Sequence, residues 1–331
     1  MLGGRRYWLT APTKAEARRR VRELLLRHEL GQLAPPTRYT LGAWAELWLQ
    51  EARGRLRPST VHDYQRSLSP LLPLLGRLRL RELTAAHVQA ALLRLQGALG
   101  ERRRAKAWVA LHACLEAARR LGLIPSNPCQ QVPRPRHERR EAREWELAEM
   151  RRFLRAAQED SRPLASMLAL ILLTGLRPGE AMGLRWDDVD LDRGTLAVRR
   201  SITWAGGQWH IGSPKSRAGE RTVALPALAL SLLERLPREG VYLFWRERPP
   251  TSKQLSNVMG ELCERANVPR RPAHYLRHCH ASLLAAEGLD VKTLQRRLGH
   301  AQASVTLDVY AHALGEMDRR AAELLDRALS G

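Results

Sequence analysis

The sequence holds four cysteines in 331 residues, Cys114, Cys129, Cys263 and Cys279, and none are paired at C-x-x-C spacing. That usage excludes a disulfide scaffold and a finger-type zinc module, and it fits free thiols in a reducing compartment. Phenylalanine occurs only twice and aromatics make up 5% of the chain. There is no run of eighteen apolar residues, which leaves no transmembrane helix. The first residues, MLGGRRYW, lack the apolar core of a signal peptide, so a cytoplasmic location with no membrane partner is the expectation. Acidic residues are also scarce relative to basic ones: 34 Asp and Glu stand against 55 Lys and Arg, a net charge of +21. Lysine itself is rare, five residues in all, so arginine is the default cation. Genome composition or a hot habitat accounts equally for that bias.

What is present begins with enough apolar sequence, 44%, to bury two or three domain cores. The positive charge runs along several helices rather than one juxtamembrane segment, which favours nucleic acid over membrane as the partner; a solvated basic surface is the plain alternative. Residues 1–36 form a short appendage, with a strand over Tyr7 to Leu9 and a helix capped near Thr13 and stopped at Gly31. Residues 38–123 carry four amphipathic helices: Leu41 to Ala52, Ser59 to Leu72, Thr84 to Leu95 and Glu101 to Leu121. They suit a compact all-α domain. Arg102, Arg103, Arg104 and Lys106 open the last helix, against its dipole, and a polyanion there would relieve the conflict. Prolines 125, 128, 133 and 135 and the charged HERREARE mark a linker over 124–143.

The second domain, 144–331, opens with helices at Glu146 to Gln158 and Leu164 to Thr174. In TGLRPGE, Pro178 suits a first helical position, placing Arg177 at the helix mouth with Glu180 three residues on, able to orient its guanidinium. From Thr195 to Leu225 the pattern alternates as in strands, with a hairpin turn at Gly206-Gly207 and a second connection at Ser213 to Glu220 that carries Lys215. This predicts one small antiparallel sheet. A further helix lies near Thr251 to Ala266.

The stretch from Pro272 to Ala313 concentrates the reactive side chains. On a helix, Leu276, Cys279, Leu283 and Leu284 form an apolar stripe that takes in His280 as a structural residue, while His274, Arg277 and Ala281 face away from the core. Gly288 caps that helix, Asp290 starts the next, Gly299 stops it, and His300 follows in a loop. Ser304 caps a last helix carrying Tyr310. Arginine and histidine donors held in this way suit the charge that develops when a phosphodiester is attacked. Surrounding cations favour phenolate, which makes Tyr310 a nucleophile candidate, and a lysine can protonate a leaving oxygen where arginine cannot.

Other readings stand beside this one. Asp187, Asp188, Asp190 and Asp192 are carboxylates of the kind a two-metal nuclease uses, and ordinary turn formers as well. His274, His278 and Cys279 lack the second ligand pair a zinc site needs. A noncatalytic DNA-binding regulator would use the same basic helices without Tyr310, and a type IB topoisomerase-like enzyme would use the same tyrosine without synapsis.

Taken in order, TGLRPGE, SPKSRAGERTV, HYLRH, LGH and LDVYAH closely resemble the signature of the tyrosine recombinase or phage integrase family: Arg, Lys, His-x-x-Arg, His, Tyr. The resemblance covers the whole second domain, and the four-helix region resembles the family's core-type DNA-binding domain. It implies a mainly α (α+β) protein, with an all-α DNA-binding domain followed by a mostly helical catalytic domain with a small antiparallel sheet. Arg177, Lys215, His274, Arg277 and His300 would surround the scissile phosphate, Glu180 would support Arg177, and Tyr310 would become linked to a DNA 3′ phosphate. Strand exchange would follow in a tetramer on double-stranded attachment or core sites, without metal, ATP or other cofactor. Residues 1–36 resemble only the last strand and helix of an arm-binding domain, whose use brings in an accessory DNA-bending protein. The tail from Leu314 to Leu329 has an apolar face, Met317, Ala321, Leu324, Leu325 and Leu329, that either folds back in cis or docks on a neighbouring protomer.

Overall fold

A computed structural model describes residues 10–29, 39–136, 143–214 and 216–300, with 326 and 329. The strand expected over Tyr7 to Leu9, the stop at Gly31, Lys215, the Ser304 cap, Tyr310 and nearly all of the tail lie outside the described residues. The chain divides into two compact units, 1–140 and 141–331.

In the first unit, α1 (Lys14–Glu29) is started by Thr13, whose hydroxyl accepts from the Glu16 backbone N–H at 3.2 Å. The helical core comprises α2 (Leu41–Arg55), α3 (Pro58–Leu68), the short α4 (Leu72–Leu75), α5 (Ala85–Arg94) and α6 (Glu101–Arg120). On α2 the buried positions are Leu41, Trp44, Ala45, Trp48 and Ala52, one stripe at helical spacing. They meet Ala107, Ala110, Leu111, Cys114 and Leu115 of α6, and the Trp44 indole donates to the Cys114 carbonyl at 2.9 Å. Thr84 caps α5 in a reciprocal box with His87.

The second expected helix is corrected at both ends. It starts at Pro58 with Arg57 as its cap, because proline's fixed φ and missing N–H suit the first helical position and leave Ser59 inside. It ends at Leu68 rather than Leu72, because Pro70 cannot continue the hydrogen-bond ladder; the chain restarts as α4. Within 124–143, Ile124, Asn127, Cys129 and Val132 are buried against this core, and Trp108 donates to the Val132 carbonyl at 3.1 Å.

The second unit is built around α8 (Pro163–Thr174), whose sequence PLASMLALILLT is apolar on every side and is buried accordingly. Against it pack α7 (Leu147–Gln158), α10 (Ala227–Glu234), α11 (Ser252–Arg265) and α12 (His274–Ala286); α9 (Pro178–Met182) follows α8 directly, and α13 (Val291–Leu298) follows α12. The strands form two sheets where one was expected. β1 (Val189–Asp190), β2 (Thr195–Val198) and β5 (Arg221–Ala224) make an antiparallel sheet in the order β1-β2-β5, with Leu196, Val198 and Val223 buried. β3 (Ser201–Ala205) and β4 (Gln208–Gly212) form a separate hairpin, turning at Gly206 and Gly207 with φ of 59° and 80°, the positive pair a type I′ turn needs.

The orientation of α12 departs from expectation. Arg277 and Ala281 do not face solvent: they are 4% and 2% exposed. One face of α12, with Leu276 and Cys279, joins the main core, and a second, with Ala281 and Ala285, packs on Leu294 and Leu298 of α13. Alanines supply that second face, and residues so small do not mark a core side in a hydrophobic pattern.

Candidate active site

Arg177 is placed by a short chain of local causes. α8 ends at Gly175, in the left-handed region at φ 71°, where an added Cβ would lie 2.6 Å from the His280 ring and 2.8 Å from Leu298. Leu176 is then buried, and Pro178 begins α9 with Arg177 as its cap. Glu180, 1% exposed, accepts from the Arg177 guanidinium at 2.6 Å and its backbone N–H at 3.0 Å. A second guanidinium nitrogen of Arg177 donates to the Gly299 carbonyl at 3.2 Å.

Arg277 is held by main-chain acceptors alone in the described structure, donating to the Gly175 and Leu298 carbonyls, each at 2.7 Å. These carbonyls end α8 and α13, where the helix dipoles are negative. Burial first, then the charges of Arg177 and Arg221, push Arg277 down to about 9, which still leaves it cationic at neutral pH. Glu180 is pulled two ways: burial raises its pKa, and Arg221 followed by Arg177 more than offset that, holding the carboxylate ionised.

His274 starts α12 with an exposed edge, and His300 follows the left-handed Gly299 at the end of α13. Asp290 caps α13 through the Thr293 N–H at 2.9 Å. Partial withdrawal from water, then Arg277 and Arg177, lower the His274 pKa from its ordinary value. The same causes, with Arg221 and His274 added, push His300 down to about 4. His300 is therefore neutral at pH 7, able to donate from one ring nitrogen and accept at the other, and His274 is shifted toward the same form.

The structure thus brings Arg177, Glu180, His274, Arg277 and His300 together. Three further residues belong to the same network and were not singled out from sequence for it. Arg221 donates to Glu180 at 3.1 Å, and its side chain is 7% exposed. Arg297 donates to the His280 Nε2 at 3.0 Å, and the His280 Nδ1 faces the Leu172 carbonyl at 2.9 Å. His280 is structural, as the sequence indicates. The signal for Arg221 was available: it shares the inward face of β5 with buried Val223, and a charge on the core side of a strand requires a partner.

Elsewhere, Arg102 and Arg103 are exposed on the first turn of α6 and line, with Arg66 and Asp63, a cavity of about 210 Å³. Lys106 lines it too, with both Asp63 oxygens within 2.9 Å of its ammonium. Arg104 is half-buried outside that lining. Asp188 is buried under Arg199 and Arg200, and among the described residues no three His, Cys, Asp or Glu side chains converge as a metal-binding group.

Comparison with known proteins bears on the family and the fold. The phage integrase family pattern matches residues 145–317, and the pattern of the phage integrase N-terminal SAM-like domain matches residues 40–96. The ICEBs1 integrase of Bacillus subtilis is 29% identical over 222 residues, 62% of this chain; the chain spans 60% of that relative's length. It spans 49% of a XerC-like tyrosine recombinase of Caldanaerobacter subterraneus, at 30% identity over 49% of this chain. In fold, the chain is similar to the Tn1549 transposon integrase in complex with transposon right end DNA, with a TM-score of 0.72 at 22% identity, over 86% of this chain and 99% of that one. The motifs, the helical architecture and these matches agree, and the chain belongs to the phage integrase family.

Proposed function

We propose that the protein is a site-specific DNA recombinase that cuts and rejoins strands through a covalent 3′-phosphotyrosyl intermediate at Tyr310. The observation that carries this reading is the convergence of Arg177, Arg277 and His300 on the ends of α8 and α13, with His274 at the start of α12 near both arginines and one buried carboxylate, Glu180, between guanidiniums. That excess of fixed positive donors matches a phosphate whose nonbridging oxygens gain charge on attack. Arg177 and Arg277 bind those oxygens. A neutral histidine takes the tyrosine proton as the phenolate oxygen bonds to phosphorus. The bond from phosphorus to the 5′ oxygen breaks, and Lys215 protonates that leaving oxygen. Attack by a 5′ hydroxyl of another strand reverses each step and releases Tyr310.

The substrates in this reading are double-stranded attachment or core sites. The helical unit serves as a DNA-binding domain, with Arg102 and Arg103 toward phosphates; Arg104 and Lys106, the one half-buried and the other paired to Asp63, are weaker candidates. The segment 124–143 joins it to a catalytic domain. The working assembly is a tetramer on DNA, acting in the cytoplasm, with an accessory DNA-bending protein as a further partner. Among the described residues no helix is long and apolar enough to cross a membrane.

The decisive experiment uses a nicked duplex that traps the adduct. Tyr310→Phe is expected to bind duplex normally and form no covalent complex on a denaturing gel; an adduct persisting in that variant removes Tyr310 from the role. Relaxed circles without recombinant joints, from the unaltered chain, would assign it to the topoisomerase-like class instead.

A further inference from the structure

Arg221 makes contacts that reach three separate segments. Its Nη2 donates to the Glu180 carboxylate at 3.1 Å, the oxygen opposite the one bound to the Arg177 guanidinium. Its Nε donates to the Arg297 carbonyl at 2.6 Å, in the last turn of α13, two residues before Gly299 and three before His300. Its Nη1 donates to the Gly219 carbonyl at 2.9 Å, at the end of the 3-10 turn Arg217–Gly219, which follows Lys215 in sequence. Gly299 adds independent evidence of how closely these parts fit. A Cβ at 299 would lie 2.9 Å from Arg221 Nη1 and 2.7 Å from the Ala218 carbonyl, so the glycine of the LGH motif leaves room for this guanidinium.

We infer that Arg221 is a positioning residue for DNA cleavage, its three-way fork holding Glu180, the end of α13 and the turn after Lys215 in register. Through Glu180 it fixes the orientation of Arg177, and through the Arg297 carbonyl it fixes the departure of the chain toward His300. A planar guanidinium has donors in three directions, whereas an ammonium on a flexible stem cannot hold all three acceptors at once. There is an electrostatic consequence as well. One carboxylate shared by two guanidiniums leaves the pair with net positive charge, so Glu180 orients Arg177 without cancelling its attraction for phosphate. Arg221's own charge also contributes to the low pKa of His300, after burial, Arg277 and Arg177.

The inference rests on the recombinase reading, and the test separates the two. Adduct formation on a saturating nicked duplex is timed for the unaltered chain, Arg221→Lys, Arg221→Gln, Glu180→Gln and the Arg221→Lys/Glu180→Gln double variant, with single-site binding and thermal unfolding measured alongside. Arg221→Lys is expected to bind a single site within about twofold of the unaltered chain and to cleave about 10- to 100-fold more slowly, the scale of a displaced catalytic group. In the double variant the loss is expected to be smaller than the product of the single losses, because both substitutions release the same guanidinium. Arg221→Gln, lacking the charge, should also move the acid limb of the rate profile upward as the His300 pKa rises. Cleavage by Arg221→Lys at the unaltered rate, or strictly multiplicative losses in the double variant, overturns the inference alone. Loss of the folded state in both Arg221 variants assigns the residue to stability instead. An unaltered chain that forms no adduct overturns the recombinase reading, and this inference with it.

Discussion

His280 illustrates how a titratable side chain becomes a fixed strut. Its Nδ1 faces a carbonyl and its Nε2 receives the Arg297 guanidinium, so only the neutral form protonated at Nδ1 satisfies both neighbours. Burial first, then Arg297, push its pKa down to about 3. The folded value lies below the unfolded one, near 6.5, so between those values the unfolded chain binds the additional proton. The stabilisation is complete above about pH 6.5 and is lost as pH falls toward the folded value. His300 and His274 act in the same direction. Denaturant midpoints taken from pH 7.5 down to 4.5 are therefore expected to fall steadily. His280→Ala should cost about 1–3 kcal/mol at pH 7.5, by leaving the Leu172 carbonyl and the half-buried Arg297 Nε without these partners, and should flatten that acid slope. A His280→Ala variant with the original slope would show that other groups govern it.

At the scale of elements, α6 presents Arg102 and Arg103 on its first turn, where the dipole is positive and a bound polyanion would offset the repulsion. Replacing both with alanine is expected to weaken duplex binding and reduce the log-log salt slope by about 2, one counterion for each lost phosphate contact. An unchanged slope would leave them as solvated charges. The elements also mark what sequence could reveal. Helix ends with a local cause were legible: Thr84 on α5, Thr251 on α11, Asp290 and Gly299 on α13, Pro178 on α9. The start of α3 was misread because Ser59 and Pro58 both signal a beginning, and proline's constraint prevails. The burial of Arg277 was not legible, because its partners are main-chain carbonyls 102 and 21 residues away, and no side-chain pattern encodes a carbonyl.

Across the whole molecule the order of the motifs pointed to the family whose pattern matches residues 145–317, while the depth at which the described site residues sit came only from three dimensions. The net charge of +21 and the arginine-rich site lead to one global expectation. If guanidiniums and Lys215 do the work of a Lewis acid, cleavage proceeds in excess EDTA and without nucleotide. Cleavage abolished by EDTA and restored by Mg²⁺ would transfer that work to a bound ion. The carbonyl anchors at positions 172, 175, 297, 298 and 299 have a wider consequence. Every amino acid carries a carbonyl, so these acceptors are set by the path of the backbone, while the side chains at 297 and 298 answer to separate demands, Arg297 to His280 and Leu298 to the α12–α13 core. A main-chain acceptor therefore anchors a guanidinium without any particular side chain being needed to supply the oxygen.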